Sequence, residues 1–314
     1  MKYSLIDCHA DTASVALDKN VGFYDNGLQV DLAKVDFQYT QFFAAFIAPE
    51  YRESAYERTI NIIKKLKKEI SNNEKIAFCK SYDDYLKNNK MIRAFLSVEG
   101  LEAVNDVSVF DELCSEGVRM ATLTWNYSNQ LAGGVLEETK GLTLLGRKVV
   151  RKMNELGMIL DVSHLNDRSF WDVIEENAKT VIASHSNSRK ICDNKRNLTD
   201  EQFLAIRNKG GVVGINLYPL FLSGSNKAKI SDIIKHVEHF LSLGGEENIG
   251  MGCDFDGVDF LPEGITGMGD IYKLFDEMIR LGYNDNIINK LSCTNMERIL
   301  QENLCKNSNF ISKG

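Results

Sequence analysis

Proline is scarce: Pro49, Pro219 and Pro262 are the only three in 314 residues. No proline- or serine-rich stretch, low-complexity tract or fixed-period repeat divides the chain, so composition offers no linker between separate domains. Cysteine pairing motifs are missing as well. The seven cysteines are odd in number and scattered, with no C-x-x-C among them, which excludes a disulfide framework and fits a reducing, cytoplasmic compartment. Long apolar runs are absent, since no window approaches the ~18 residues of a membrane span. The opening MKYSLIDCHADT breaks its short apolar stretch with Asp7, His9 and Asp11 and does not read as a secretory signal. The polar tail KNSNFISKG likewise does not read as a lipid-anchor signal. Positive charge is in deficit, with 37 Lys and Arg against 44 Asp and Glu and a net charge of −7. That balance disfavours a nucleic-acid partner. No phosphate-binding glycine fingerprint and no G-x-S-x-G elbow occurs.

What the sequence does contain is a rhythm. Hydrophobic residues make up 44% of the chain, enough for a sizeable core. Eight short apolar runs recur: 3–8, 42–48, 92–98, 119–125, 158–163, 180–184, 211–218 and 249–253. Runs of this length suit parallel strands buried on both faces. Amphipathic stretches lie between them. Residues 53–71 place Tyr56, Ile60, Ile63, Leu66 and Ile70 on one stripe, and 142–156, 199–208 and 230–241 read as further helices. Thr199-Asp200-Glu201 forms a plausible cap region for the third. Eight strands alternating with helices predict an α/β protein, a (β/α)8 TIM-type barrel forming one domain over residues 1–314.

The polar residues strengthen that expectation, because a barrel gathers the C-terminal ends of its strands at one rim. Three of the five histidines, His9, His164 and His185, stand at or just past predicted strand ends. Neutral imidazoles bind divalent metals. In extended chain His9 and Asp11 point the same way, so both can grip one ion. Cys8 would then face the helix layer as a core thiol, a role that Cys253 shares. Glu99 carries two carboxylate oxygens and can bridge two metals, and His164 with His185 would complete a second site. Asp254 suits a general acid or base toward an activated water. Asp256 reads as a turn former beside Gly257. His236 and His239 share H-x-x-H spacing but sit off the apolar stripe of their helix and are expected to face solvent.

The motifs DCHADT, SVEG, LTWN, DVSH, ASHSNSR, NKRNLTD, GINLYP and GCDFDGV, in that order, resemble the renal (membrane) dipeptidase family. Its members are zinc peptidases of the metal-dependent amidohydrolase superfamily. The resemblance implies two zinc ions, with His9 and Asp11 on one, His164 and His185 on the other and Glu99 between them. It implies that Asp254 is the catalytic acid/base, that Arg196 receives the substrate's free carboxylate and that Tyr218 lies near the substrate. Trp125 stands where many members carry a histidine, and Trp125 and Asn126 are expected to line the substrate pocket. The implied substrate is a dipeptide, including those with a C-terminal D-residue, and relatives imply a homodimer. Two alternatives are a TatD-like metal-dependent nuclease or phosphodiesterase and a non-catalytic barrel used for binding.

Overall fold

Each of the eight apolar runs forms a strand in the computed structural model, which describes residues 2–176 and 179–304. The strands are β1 (Leu5–Ala10), β2 (Tyr39–Phe46), β3 (Ile76–Phe78), β4 (Ile92–Glu99), β5 (Val118–Thr122), β6 (Ile159–Asp161), β7 (Val181–Ile182), β8 (Val213–Ile215) and β9 (Ile249–Met251). All ladders are parallel, in the order β7-β6-β5-β4-β2-β1-β9-β8. A parallel bridge between Ala183 and Val213 brings the two ends together. With helices in the connections, this is the expected (β/α)8 barrel. The unexpected β3 pairs with Ile92–Ala94, ahead of the stretch of β4 that pairs with β5.

Ladder partners fix which side chains point inward. Glu99 faces the ring, and Phe95, four residues earlier on the same strand, does too. Its partner Phe42 stacks on it with ring centroids 5.1 Å apart. Met120, Ile159 and Ile182 continue this layer around the barrel and pack with Ile6 and Cys8. Met296, Ile299, Leu300 and Leu304 of the helix Asn295–Leu304 join the same cluster and seal the end of the barrel away from the strand C-termini. Filling the interior with apolar side chains makes it a packed floor and leaves only the opposite rim open for chemistry.

Cys8 therefore differs from expectation. Cys8 shares the interior side of Ile6, and the β1–β2 register slips between Asp7 and Ala10, which breaks strict alternation and lets His9 face the ring as well, above Cys8. It is still a core thiol, fully buried, and burial pushes it well above its ordinary pKa. The first long helix, Ala55–Ser71, also corrects its expected stripe. Ala55, Thr59, Ile62, Ile63, Leu66 and Ile70 are buried, whereas Tyr56 is 44% exposed and donates its hydroxyl proton to Glu112 at 2.7 Å. The helix Asp200–Asn208 opens as anticipated. Thr199 Oγ1 accepts from the Gln202 N–H, and Gln202 Oε1 accepts from the Thr199 N–H, a reciprocal cap. Among the described residues no helix is long and apolar enough to cross a membrane.

Candidate active site

The open rim collects every residue that the sequence assigned to the site. His9 lies on β1 with Asp11 just beyond it, and Glu99 ends β4. Trp125 and Asn126 follow β5, His164 follows β6, His185 and Arg196 follow β7, Tyr218 follows β8 and Asp254 follows β9. A cavity of ≈ 380 Å³ opens over them, with Trp125, Asn126, Arg196, Tyr218 and Asp254 on its walls. His9 and His185 are buried behind its surface, each 1% exposed.

Two groups of potential ligand atoms meet at Glu99. Its Oε2 lies 3.5 Å from His9 Nε2, which is 3.6 Å from Asp11 Oδ2 and 3.9 Å from Asp254 Oδ1. Its Oε1 lies 2.8 Å from His164 Nε2 and 3.5 Å from His185 Nε2. Metal–ligand bonds of about 2.0–2.2 Å put neighbouring ligand atoms at roughly such separations. His9 Nε2 and Asp11 Oδ1 are buried with no hydrogen-bond partner among the described residues. Burying a polar atom without a partner is costly, so these atoms fit a cation's ligands better than they fit a closed hydrogen-bond network. Gly257 keeps the space clear: a Cβ there would collide with Asp11 Oδ2 and Asp254 Oδ1. A third triplet of His9, Asp161 and His185 lies within similar range. Asp161, however, already accepts from the Ser163 and Ser184 N–H groups and from the Ser184 hydroxyl.

Electrostatics agree with a site built for positive charge. Burial pushes Asp254 up to about 7, reinforced by Asp11 and Glu99, and pushes Asp11 up to about 6 with Glu99 adding to it. Burial lowers His164 to about 4, and the Arg196 guanidinium adds to that effect. It also drives His185 well below the ordinary histidine value, with the His9 charge adding. Burial opposes the ionisation of Glu99, but His9 and His164 outweigh it and hold the carboxyl well below its usual range. Burial opposes the charge of His9, but Glu99 and Asp11 outweigh it and hold that imidazole well above its ordinary value, so a cation there would have to displace its proton. Neutral His164 and His185 beside an ionised Glu99 already have the protonation states that bind a cation.

A further layer orients these groups. Asn126 Oδ1 lies 2.8 Å from His164 Nδ1, so it accepts the Nδ1–H and leaves the Nε2 lone pair toward Glu99. His185 Nδ1 is 2.7 Å from the Ser184 hydroxyl, which itself donates to Asp161. Such partners fix tautomer and ring angle. Arg196 reaches in from the far wall. It is 8% exposed, with Nη2 3.0 Å from His164 Nε2 and 3.3 Å from the His185 carbonyl, and its guanidinium lies over the Phe221 ring at 5.4 Å. Trp125 packs against Phe46 with centroids 5.2 Å apart and forms an aromatic wall. His164 and Asp254 hold φ of +70° and +61°, left-handed conformations rare for residues other than glycine.

The model of the membrane dipeptidase family, peptidase family M19, matches residues 1–311. The chain belongs to this family. An uncharacterized dipeptidase of Schizosaccharomyces pombe is 31% identical over 293 residues, covering 85% of this chain and 70% of the relative. The crystal structure of dipeptidase AC, an M19 metallopeptidase, superposes with a TM-score of 0.90 at 25% identity, covering 97% of this chain and all of that one. A metallopeptidase from Rhodobacter sphaeroides shares the fold with a TM-score of 0.88 at 24% identity over 96% of this chain and 99% of its own. Membership makes the chain a metal-dependent dipeptidase, and the nuclease and non-catalytic alternatives give way to it.

Within this M19 barrel, two expectations change. His236 is fully buried: its Nδ1 accepts from the Ser188 N–H at 3.1 Å and its Nε2–H donates to the Leu222 carbonyl at 3.0 Å. It braces two rim loops, because the buried face of the helix Ile230–Ser242 is wide enough to include it. His239 stays partly exposed beside Asp200 at 2.7 Å. Asp256 does more than turn the chain. It accepts from the Gln29 and Val30 N–H groups and from the Thr12 hydroxyl, which pins the 24–31 loop to the rim. Asp161, Ser184 and Asn216 escaped notice in the sequence. The available signal was a polar residue set inside an apolar run, as in ILD and GINLY.

Proposed function

We propose that the chain hydrolyses dipeptides with a free C-terminal carboxylate, using two zinc ions held by His9 and Asp11 on one side, His164 and His185 on the other, and Glu99 between. The observation that carries this reading is the two-sided Glu99 carboxylate, with one oxygen facing each group of ligand atoms. Bound divalent cations supply the positive charge that brings a water's pKa toward about 7 and polarises an amide carbonyl. Asp254 is placed to take the proton as a water O–H bond breaks. The water oxygen bonds to the amide carbon, and Asp254 returns the proton to the leaving nitrogen as the C–N bond cleaves.

Arg196 provides the substrate's anchor. Its planar guanidinium pairs with a carboxylate in a bidentate way, and its Nε is buried with no protein partner among the described residues. Across the ring, Phe46 and Trp125 present apolar surface to the substrate's N-terminal part, and Tyr218 closes the wall beside Arg196. Glu50 and Asp259 also line the cavity, and Asp18 beside them is neutralised by Arg58 in a two-pronged ion pair at 2.6 and 2.7 Å.

The test joins metal analysis with a substrate panel. Wild-type protein and Asp254→Asn are assayed for zinc per chain and for hydrolysis of X-Ala and X-D-Ala dipeptides. The second set is included because the R. sphaeroides metallopeptidase binds a phosphinate mimic of L-Ala-D-Ala. We expect two zinc ions in both proteins and a loss of kcat in the variant of roughly 10²–10⁴-fold. A variant that keeps its metal and full turnover refutes the role of Asp254.

A further inference from the structure

We propose that Asn216 is a positioning residue that decides which oxygen of Asp254 carries the proton, an inference resting on the functional reading above. Asn216 directly follows β8 and is fully buried. Its Nδ2 donates to Asp254 Oδ2 at 2.9 Å. Its Oδ1 accepts the Tyr218 N–H at 2.6 Å, so flipping the amide would set a donor against a donor at one end and an acceptor against an acceptor at the other. The backbone is locked too. The Asn216 N–H donates to Asn187 Oδ1 at 3.1 Å, and Asn187 Nδ2 donates back to the Asn216 carbonyl at 3.0 Å. Asn187 is also fully buried and lies two residues past His185. The segments after β7, β8 and β9 thus share one rigid set of amides.

The consequence falls on Asp254, which holds a left-handed φ of +61° against this amide. An Nδ2–H group can only donate, so Oδ2 remains an acceptor. Oδ1, 3.9 Å from His9 Nε2 and close across Gly257 to Asp11, is the oxygen left facing the ligand atoms. Oδ1 is therefore the atom that takes and returns the proton. The same amide holds Tyr218 on the cavity wall, so proton carrier and substrate wall share one anchor. Asn216 is absent from that wall and acts through its neighbours.

The two functions of this amide are separable in full-length, zinc-loaded protein. Asn216→Asp keeps an acceptor for the Tyr218 N–H but removes the donor to Asp254, and Asn216→Ala removes both. Two buried carboxyls this close share a proton near neutral pH, so the Asp variant is assayed across about pH 7–10 and its loss is read at the alkaline end, once that proton has left. We expect Asn216→Asp to lower kcat roughly 10–100-fold, with KM within about twofold and zinc content unchanged. Asn216→Ala should show the same kcat loss with a raised KM, and it supplies the kcat comparison if the Asp variant folds poorly. Wild-type kcat in either variant overturns the proposal. A wild-type protein that binds zinc but cleaves no dipeptide overturns the functional reading beneath it and is recognisable before any variant is made.

Discussion

Arg196 is almost fully buried, and among the described residues its Nε has no hydrogen-bond partner. Desolvation lowers its pKa, and only the more distant charges of Asp254, Glu99 and Asp161 oppose that. A cation held this way is poised for an incoming anion, and a bound carboxylate would relieve the cost of burying it. Arg196→Met should lower kcat/KM for a dipeptide by roughly 100-fold or more. For the corresponding dipeptide amide, which has no carboxylate, wild type and variant should differ little. Comparing the two substrates in both proteins isolates the pairing, and an equal loss on both would remove Arg196 from carboxylate recognition. At this scale the metal-facing side chains were legible because histidine and carboxylate in apolar surroundings announce a chemical use. Asn216 was not, because an amide at a strand end looks the same whether it holds a catalytic group or a turn.

Among the elements, the helix Ile230–Ser242 shows how a sequence pattern misleads. His236 lies off the stripe drawn through the strictly apolar positions, yet the rim loops fold over that flank and use the imidazole as a two-ended tie. His236→Phe would leave the Ser188 N–H and the Leu222 carbonyl unpaired and should destabilise the protein by roughly 2–5 kcal/mol in chemical denaturation. Burial depresses the imidazole to about 4, so the folded state favours its neutral form. A depressed histidine contributes stability that is full above the ordinary value near 6.5 and lost as pH falls toward 4. The variant should lack that part of the decline, and an unchanged acid profile would contradict the tie. Two other elements were hidden for different reasons. The three-residue β3 is too short to carry a period, and the slip in β1 is a property of its pairing with β2, which no single strand encodes.

Across the whole molecule, the proposed ligand atoms come from β1, the residue just past it, β4 and the segments after β6 and β7, so cations held among them would tie together strands on opposite sides of the ring. Removing metal with a chelator should lower the thermal midpoint. At free zinc of 100–1,000 times its dissociation constant, restoring it should return about 2.7–4.1 kcal/mol. A midpoint indifferent to chelation would show that the ring closes without a cation. Apolar runs alternating with amphipathic stretches, and chemically useful side chains at the ends of those runs, were enough by themselves to determine a barrel and the side chains facing its rim. Burial and hydrophobic period are local and repeat along the chain, so they survive in one dimension. Tertiary structure alone decided the second layer: the turn of Cys8 into the floor, the burial of His236 and the grip of Asn216 on Asp254. Each of these depends on hydrogen bonds or register between residues 14 to 48 positions apart, and such partners are chosen only once the ring has closed.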